Sequence, residues 1–272
     1  MSKPLLNVTD LSSYLYCPRK FYLQKINGLR QPPTKPMIEG LIRHQVLENF
    51  GNNEERLFEN LELINQTLSS EKIHKHYQEL LQKIIHPIFQ KNIKSIKAFQ
   101  IDINELLKKI KKQMNKEIQL RIKAIENTLR KGFTGKALWE NLTPKYFSEY
   151  RLESEALGLK GRADRLMIAD ETILPFELKT REIEKIYPSD EIQLTAYAMM
   201  LEEKFNKPIP IAILESGDKT HEIAITKEAK QKVFDLINEV NTLLETGKPK
   251  FPSSFSKCQS CFFEEACGSL ED

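Results

Sequence analysis

The chain has 272 residues, 40% of them hydrophobic and 29% charged, which is enough to bury a core and too apolar for a disordered class. Its 41 basic and 38 acidic residues leave a net charge of only +3, so any nucleic-acid-binding surface has to be a local patch. No run approaches the ~18 consecutive apolar residues of a membrane span. Met1-Ser2-Lys3-Pro4 leads into a mixed polar segment with no apolar signal region, so the expected setting is cytoplasmic, with no membrane partner.

Leu11, Tyr14, Leu15, Phe21, Tyr22 and Ile26 recur at helical spacing, and Pro18 interrupts them. The pattern predicts two short helices with Cys17 at the break. A loop with Pro32, Pro33 and Pro36 follows, then a helix over Met37 to Phe50. From Glu54 to about Asn141, Leu, Ile and Phe recur every three or four residues among Lys, Glu, Gln and Asn. Three or four helices are expected there, with Pro87 and Asp102 as breaks.

The pattern changes near Lys145. Tyr146 to Leu152, Lys160 to Ile168 and Thr172 to Thr180 alternate as strands do, with Gly158, Gly161 and Asp170-Glu171 as punctuation. A helix over Asp190 to Phe205, a strand over Ile209 to Glu215 and an edge strand over His221 to Ile225 come next. A helix from Thr226 to Thr246 then ends at Gly247 and Pro249. Helices followed by βββαββα imply an α/β core with a helical insertion.

The chemistry concentrates in Gly161-Arg162-Ala163-Asp164 and Phe176-Glu177-Leu178-Lys179. A turn at Ala169 to Glu171 folds the two predicted strands together. Glu177 and Lys179 are two residues apart, so a strand points both to one face. The flanking Ile173, Leu174, Pro175, Phe176 and Leu178 mark a buried strand, and charges there need a metal or each other. Two carboxylates and an ammonium suit metal-assisted phosphodiester cleavage, with Mg²⁺ or Mn²⁺ on hard oxygen ligands. For Glu-x-Lys alone, an ordinary surface ion pair is the simpler reading. Glu149, Glu153 and Glu155 share one face of an extended segment by alternation and read as solvated strand charges.

Four cysteines are present, Cys17, Cys258, Cys261 and Cys267, three of them within ten residues. Two disulfides or one metal site fit that number. A reduced cytosol and the clustering favour the metal site.

Taken together, these residues resemble the PD-(D/E)XK nuclease superfamily, with Asp164 followed by Glu177-x-Lys179. Gly40-Leu41-Ile42-Arg43-His44 upstream and Gln193-Leu194-Thr195-Ala196-Tyr197 downstream are similar to motifs of its RecB-like branch. With Cys17, the Leu157-Gly158-Leu159-Lys160-Gly161 lead-in and Cys258-x-x-Cys261-x5-Cys267, the chain resembles the CRISPR-associated RecB-type exonucleases, the fourth Cas protein family. The helical segment of about 54–141 is long for that family.

The resemblance implies a restriction-endonuclease-like α/β core with a central mixed sheet, over residues 145–250. N-terminal helices (1–53), a helical insertion (54–144) and a C-terminal cysteine cluster (251–272) complete it. His44, Asp164 and Glu177 are implied as ligands of Mn²⁺ or Mg²⁺. Lys179 would position water, Gln193 would bond the lysine or a phosphate, and Tyr197 and Arg162 would contact DNA. Arg19, Lys20, Arg43, Lys160, Arg165 and Arg181 are further candidates to grip phosphates. The four cysteines would hold a 4Fe–4S cluster, with structural zinc as the rival.

The implied activity is exonucleolytic digestion of single-stranded DNA ends, trimming precursor spacers in CRISPR adaptation in company with the integrase complex. A stand-alone RecB-like repair or viral nuclease, and a non-enzymatic iron–sulfur or zinc DNA-binding scaffold, are the competing readings.

Overall fold

The computed structural model describes residues 4–62, 69–179, 183–217, 219–251 and 255–270; Thr180 and Arg181 lie outside them. In chain order the elements are β1 (Leu6–Asn7), α1 (Val8–Tyr16), α2 (Pro18–Lys25), α3 (Lys35–Glu62), α4 (Ser70–Ala98), α5 (Ile103–Arg130) and α6 (Gly135–Glu140). Then follow β2 (Lys145–Ser154), β3 (Leu159–Ile168), β4 (Ile173–Lys179), α7 (Pro188–Phe205), β5 (Ile211–Ser216), β6 (Lys219–Ala224), α8 (Lys227–Thr246), a 3₁₀ turn (Phe255–Ser260) and α9 (Glu264–Gly268). The chain divides into two units. The first comprises Met1–Pro32, Arg151–Ala163 and Leu174–Asp272; the second comprises Pro33–Tyr150 and Asp164–Ile173.

The strands run in the order β1-β3-β4-β5-β6, with β2 beside β3, and β2 and β3 each have residues in both units. β1 pairs parallel with β3 and β4 pairs parallel with β5, while β5 and β6 are antiparallel, which is the expected mixed sheet. β6 occupies the edge predicted for His221 to Ile225. Helix α7 buries almost every residue from Ile192 to Leu201, because it packs on β5 and is covered by α1 and α8. Gly161 shows how close this packing is: a Cβ there would stand 2.8 Å from Tyr197 Cε1 and 3.1 Å from Val8 Cγ2.

Local chemistry explains the helix ends. Asp10 accepts the Asn7 backbone N–H (2.9 Å) at the start of α1. Cys17 is extended (φ −165°), ends α1 and caps α2, its Sγ accepting from the Lys20 N–H (3.4 Å). Pro18 at the first helical position needs no donor there. Thr226 caps α8, and Gly247 closes it in the left-handed region (φ 66°).

In the second unit, α3 packs on α4, α5 and α6, and α4 packs on α5. Asp102 is the cap of α5, accepting from Asn104 and Glu105, as a break at that residue requires. Pro87 is not a break: α4 runs through it from Ser70 to Ala98. A helical proline forfeits one hydrogen bond and costs about 3 kcal/mol. Here both flanking turns bury one continuous stripe, Tyr77, Leu81, Ile84, Ile88 and Ile96, and that packing offsets the loss. Helix α3 also extends twelve residues past Phe50, through the point where the sequence pattern separates N-terminal helices from insertion. The turn after β3 is closed by Ala169 N–H to Thr172 C=O (2.8 Å) and its reciprocal (3.3 Å), as expected for Asp170-Glu171.

Candidate active site

In the second unit, α3, β2 and β3 each deliver one side chain to a common point. His44 Nδ1 stands 2.6 Å from Glu149 Oε1 and 3.5 Å from Asp164 Oδ1. One ligand atom from each of the three lies within 4.8 Å of the others. Glu149 and Asp164 are buried, while the His44 side chain keeps 32% of its surface open to solvent. One imidazole and two carboxylates, two of them dry and one reachable, form a hard nitrogen–oxygen donor set suited to Mg²⁺ or Mn²⁺. The hydrogen bond that the imidazole donates to Glu149 raises the His44 pKa; burial opposes it, and the Asp164 and Glu149 charges reinforce it.

Glu149 was not among the expected ligands. Alternation predicts that it shares a solvated face with Glu153 and Glu155. Those two are exposed, but Glu149 is buried. The reason is its backbone, which takes the left-handed conformation (φ 54°) inside β2. That departure is rare and costly for a residue with a side chain, and it breaks the two-residue period. The buried residues Tyr146, Leu152 and Ser154 stay in phase, and Glu149 is turned inward out of phase with them.

The first unit carries a constellation centred on Lys179. Lys179 Nζ lies 2.9 Å from Glu177 Oε1 and 3.0 Å from Asp190 Oδ1. Gln193 Nε2 donates to the other Glu177 oxygen. Glu177 and Lys179 share one face of β4, as their spacing predicts, and α7 brings Asp190 and Gln193 to the same lysine–glutamate pair. Burial alone would lower the Lys179 pKa, but the Glu177 and Asp190 carboxylates outweigh it and raise it, so the ammonium stays charged. Asp190 was read only as the start of a helix. Its position three residues before Gln193, on the same helical face, was the available signal.

Tyr197, expected to contact DNA, is buried in α7. It is 2% exposed, and its hydroxyl accepts the Arg162 backbone N–H (3.3 Å), so it packs the helix against the sheet. Arg162 itself is exposed. Three of the other basic candidates are buried instead of open to phosphates: Arg19, Arg43 and Arg165. Arg165 is held by Glu117 (2.7 Å) and Arg19 by the Cys267 carbonyl (3.3 Å).

The same unit gathers the thiols. None of the four cysteines is in a disulfide. Desolvation first, then the charges of Cys17, Cys267 and Cys261, pushes the Cys258 pKa up. The tail is built on local turns: Cys261 N–H bonds the Cys258 carbonyl (2.9 Å) and Cys267 N–H bonds the Phe263 carbonyl (2.8 Å). Four cysteine thiolates are the donor set that a 4Fe–4S cluster or a structural zinc takes.

The family model of the PD-(D/E)XK nuclease superfamily matches residues 5–268. The chain belongs to this superfamily. Its curated relatives include the CRISPR-associated exonuclease Cas4 of Francisella tularensis subsp. novicida, 29% identical over 117 residues, which are 43% of this chain and 59% of that protein. A CRISPR-associated exonuclease Cas4/endonuclease Cas1 fusion of Leptospira interrogans is 28% identical over 149 residues, 50% of this chain and 28% of the fusion. A fusion of the same description in Myxococcus xanthus is 27% identical over 128 residues, 44% of this chain and 22% of the fusion. The PD-(D/E)XK chain therefore spans less than two thirds of the length of these relatives. A solved structure titled "Crystal structure of SSO0001" covers 80% of this chain and 97% of its own at 16% identity, with a TM-score of 0.33. No helix among the described residues is long and apolar enough to cross a membrane.

Proposed function

We propose that this protein is a metal-dependent DNA exonuclease that acts on single-stranded ends and trims precursor spacers in CRISPR adaptation, in company with the integrase. The observation that carries the proposal is the grouping of His44, Glu149 and Asp164 within 4.8 Å. These three would hold the divalent cation, and Glu177, which the superfamily motif pairs with Asp164, is the further carboxylate. When bound, the cation acidifies a water and stabilises charge developing on the phosphate. Lys179 supplies a fixed ammonium for the attacking water, oriented by Glu177 and Asp190; Gln193 fixes the second oxygen of Glu177. Arg162, exposed beside the motif, grips the DNA backbone. The CRISPR setting is supported by relatives that bear that name, two of them fused to an endonuclease called Cas1. The four neighbouring thiols would hold a 4Fe–4S cluster that ties the first helices to the tail.

The test is digestion of an end-labelled single-stranded oligonucleotide with Mn²⁺, beside a circular single strand. Stepwise shortening of the linear strand alone is expected. Asp164→Ala and Glu177→Ala should be folded and inactive. Full activity in either variant, or equal cutting of the circle, would overturn the assignment.

A further inference from the structure

The second unit buries four charged side chains that the proposed reaction does not use. Arg121, on α5, sends Nε to Glu54 of α3 (3.0 Å), Nη1 to Glu117 of its own helix (2.6 Å) and Nη2 to the Ser148 hydroxyl of β2 (3.1 Å). The second Glu117 oxygen takes Nη1 of Arg165 on β3 (2.7 Å). Tyr77 on α4 donates to the remaining Glu54 oxygen (2.6 Å). All these charged side chains are 2% exposed or less, and two guanidiniums balance two carboxylates.

Such a network is a poor means of gaining stability. Apolar residues of similar volume often stabilise as well or better, because they avoid the desolvation of four charges. What charges provide that apolar side chains do not is direction, since each hydrogen bond fixes one partner at one distance and angle. The partners here are telling. Ser148 precedes the metal-site residue Glu149. Arg165 follows the metal-site residue Asp164. Glu54 lies on the helix that carries His44. One helix of the insertion thus grips each of the three elements that bring a side chain to the metal site.

Gly51 adds a second, independent observation. It lies on α3 between His44 and Glu54, and a Cβ there would stand 3.2 Å from Ser148 Cβ and 3.4 Å from the Ser148 backbone nitrogen. The helix bearing His44 and the strand bearing Glu149 meet at this point so closely that a methyl group would make them give by a few tenths of an ångström.

We propose that the α5 side chains Glu117 and Arg121, together with Gly51, are positioning residues that set the geometry of the His44–Glu149–Asp164 metal site. The long helical insertion is on this view the frame of the site, not an appendage to it. The proposal rests on the metal-site reading above. It assigns these residues no contact with metal or substrate; they act through the strands they hold.

The experiment is calorimetric titration of the full chain with Mn²⁺, with metal-free melting measured in parallel. Ser148→Ala removes one hydroxyl from Arg121, and Gly51→Ala adds one methyl against Ser148 in a helix that alanine otherwise favours. Each should weaken Mn²⁺ binding about tenfold, as loss of groups that orient metal ligands does. Ile110→Ala, in the buried face of α5 but outside the network, should lower the melting temperature at least as far and leave Mn²⁺ affinity within about twofold. Wild-type affinity in both Ser148→Ala and Gly51→Ala, or an equal weakening in Ile110→Ala, would overturn the positioning role. A wild type that takes up no Mn²⁺ would overturn the metal-site reading itself, and this proposal with it.

Discussion

Replacing Arg121 with methionine isolates the cost of breaking a buried charge cluster. Methionine keeps most of the aliphatic stem, so the cavity left is small and the electrostatic loss dominates. The substitution strands Glu54, which is left with the Tyr77 hydroxyl, and Glu117, which is left with Arg165. It also removes the donor that Ser148 accepts. Removing one partner of a buried ion pair costs about 3–5 kcal/mol, because the other charge stays desolvated. At about 2–4 °C per kcal/mol for a chain of this size, the melting temperature should fall by about 6–20 °C.

The same reasoning makes a sharper demand on the double variant. In Arg121→Met with Glu54→Gln, the remaining pair Glu117 and Arg165 is neutral again, and the glutamine still accepts from Tyr77. The double variant should be no less stable than Arg121→Met alone, a coupling of at least about 1 kcal/mol. The assay is urea unfolding of the metal-free full chain at neutral pH, followed by circular dichroism. A loss below about 1 kcal/mol in Arg121→Met, or full additivity of the two changes, would refute the account of the cluster.

Acid should act on the same cluster. Burial alone would raise the Glu117 pKa, but Arg165 and Arg121 together hold it below the usual range. The contribution to stability is then complete above the unfolded-state value of about 4.3 and lost as pH falls through the folded value; below about pH 4, wild type should lose unfolding free energy more steeply than Glu117→Gln. At the motif lysine, Lys179→Ala should keep Mn²⁺ affinity within about threefold while turnover falls at least about a hundredfold, since the ammonium orients water and binds no metal; severe loss of Mn²⁺ binding would contradict that division of roles. Protein purified without oxygen should be brown, with about four irons per chain. Cys17→Ala should be as damaging to iron content and melting temperature as Cys261→Ala, and colourless protein with one zinc would favour the zinc alternative.

Local chemistry made a good part of this protein legible from its sequence. Pro18 dictates where α1 ends, and Cys17 consequently sits at a helix cap. The two-residue period of a strand puts Glu177 and Lys179 on one face, and the four-residue spacing of a helix does the same for Gln193 and Tyr197. These are short-range rules, and they hold wherever the backbone stays regular. The ordered set of motifs was also sufficient to identify the superfamily.

Tertiary structure decided which charges are buried and what they meet. Alternation could not place Glu149, because one left-handed residue inside a strand cancels the period that the reading relies on. Glu54, Glu117 and Arg121 look like the solvated charges around them in a helical stretch rich in lysine. Their partners lie in helices and strands distant in sequence, so nothing local distinguishes them. Pro87 reads as a helix break until the packing on both sides of it is known, and the burial of Tyr197 is seen only once α7 is covered on nearly every face. A side chain's direction follows from its own backbone, but its burial follows from neighbours distant in the chain. Burial is what turns an ordinary charge into a metal-site candidate or a structural tie.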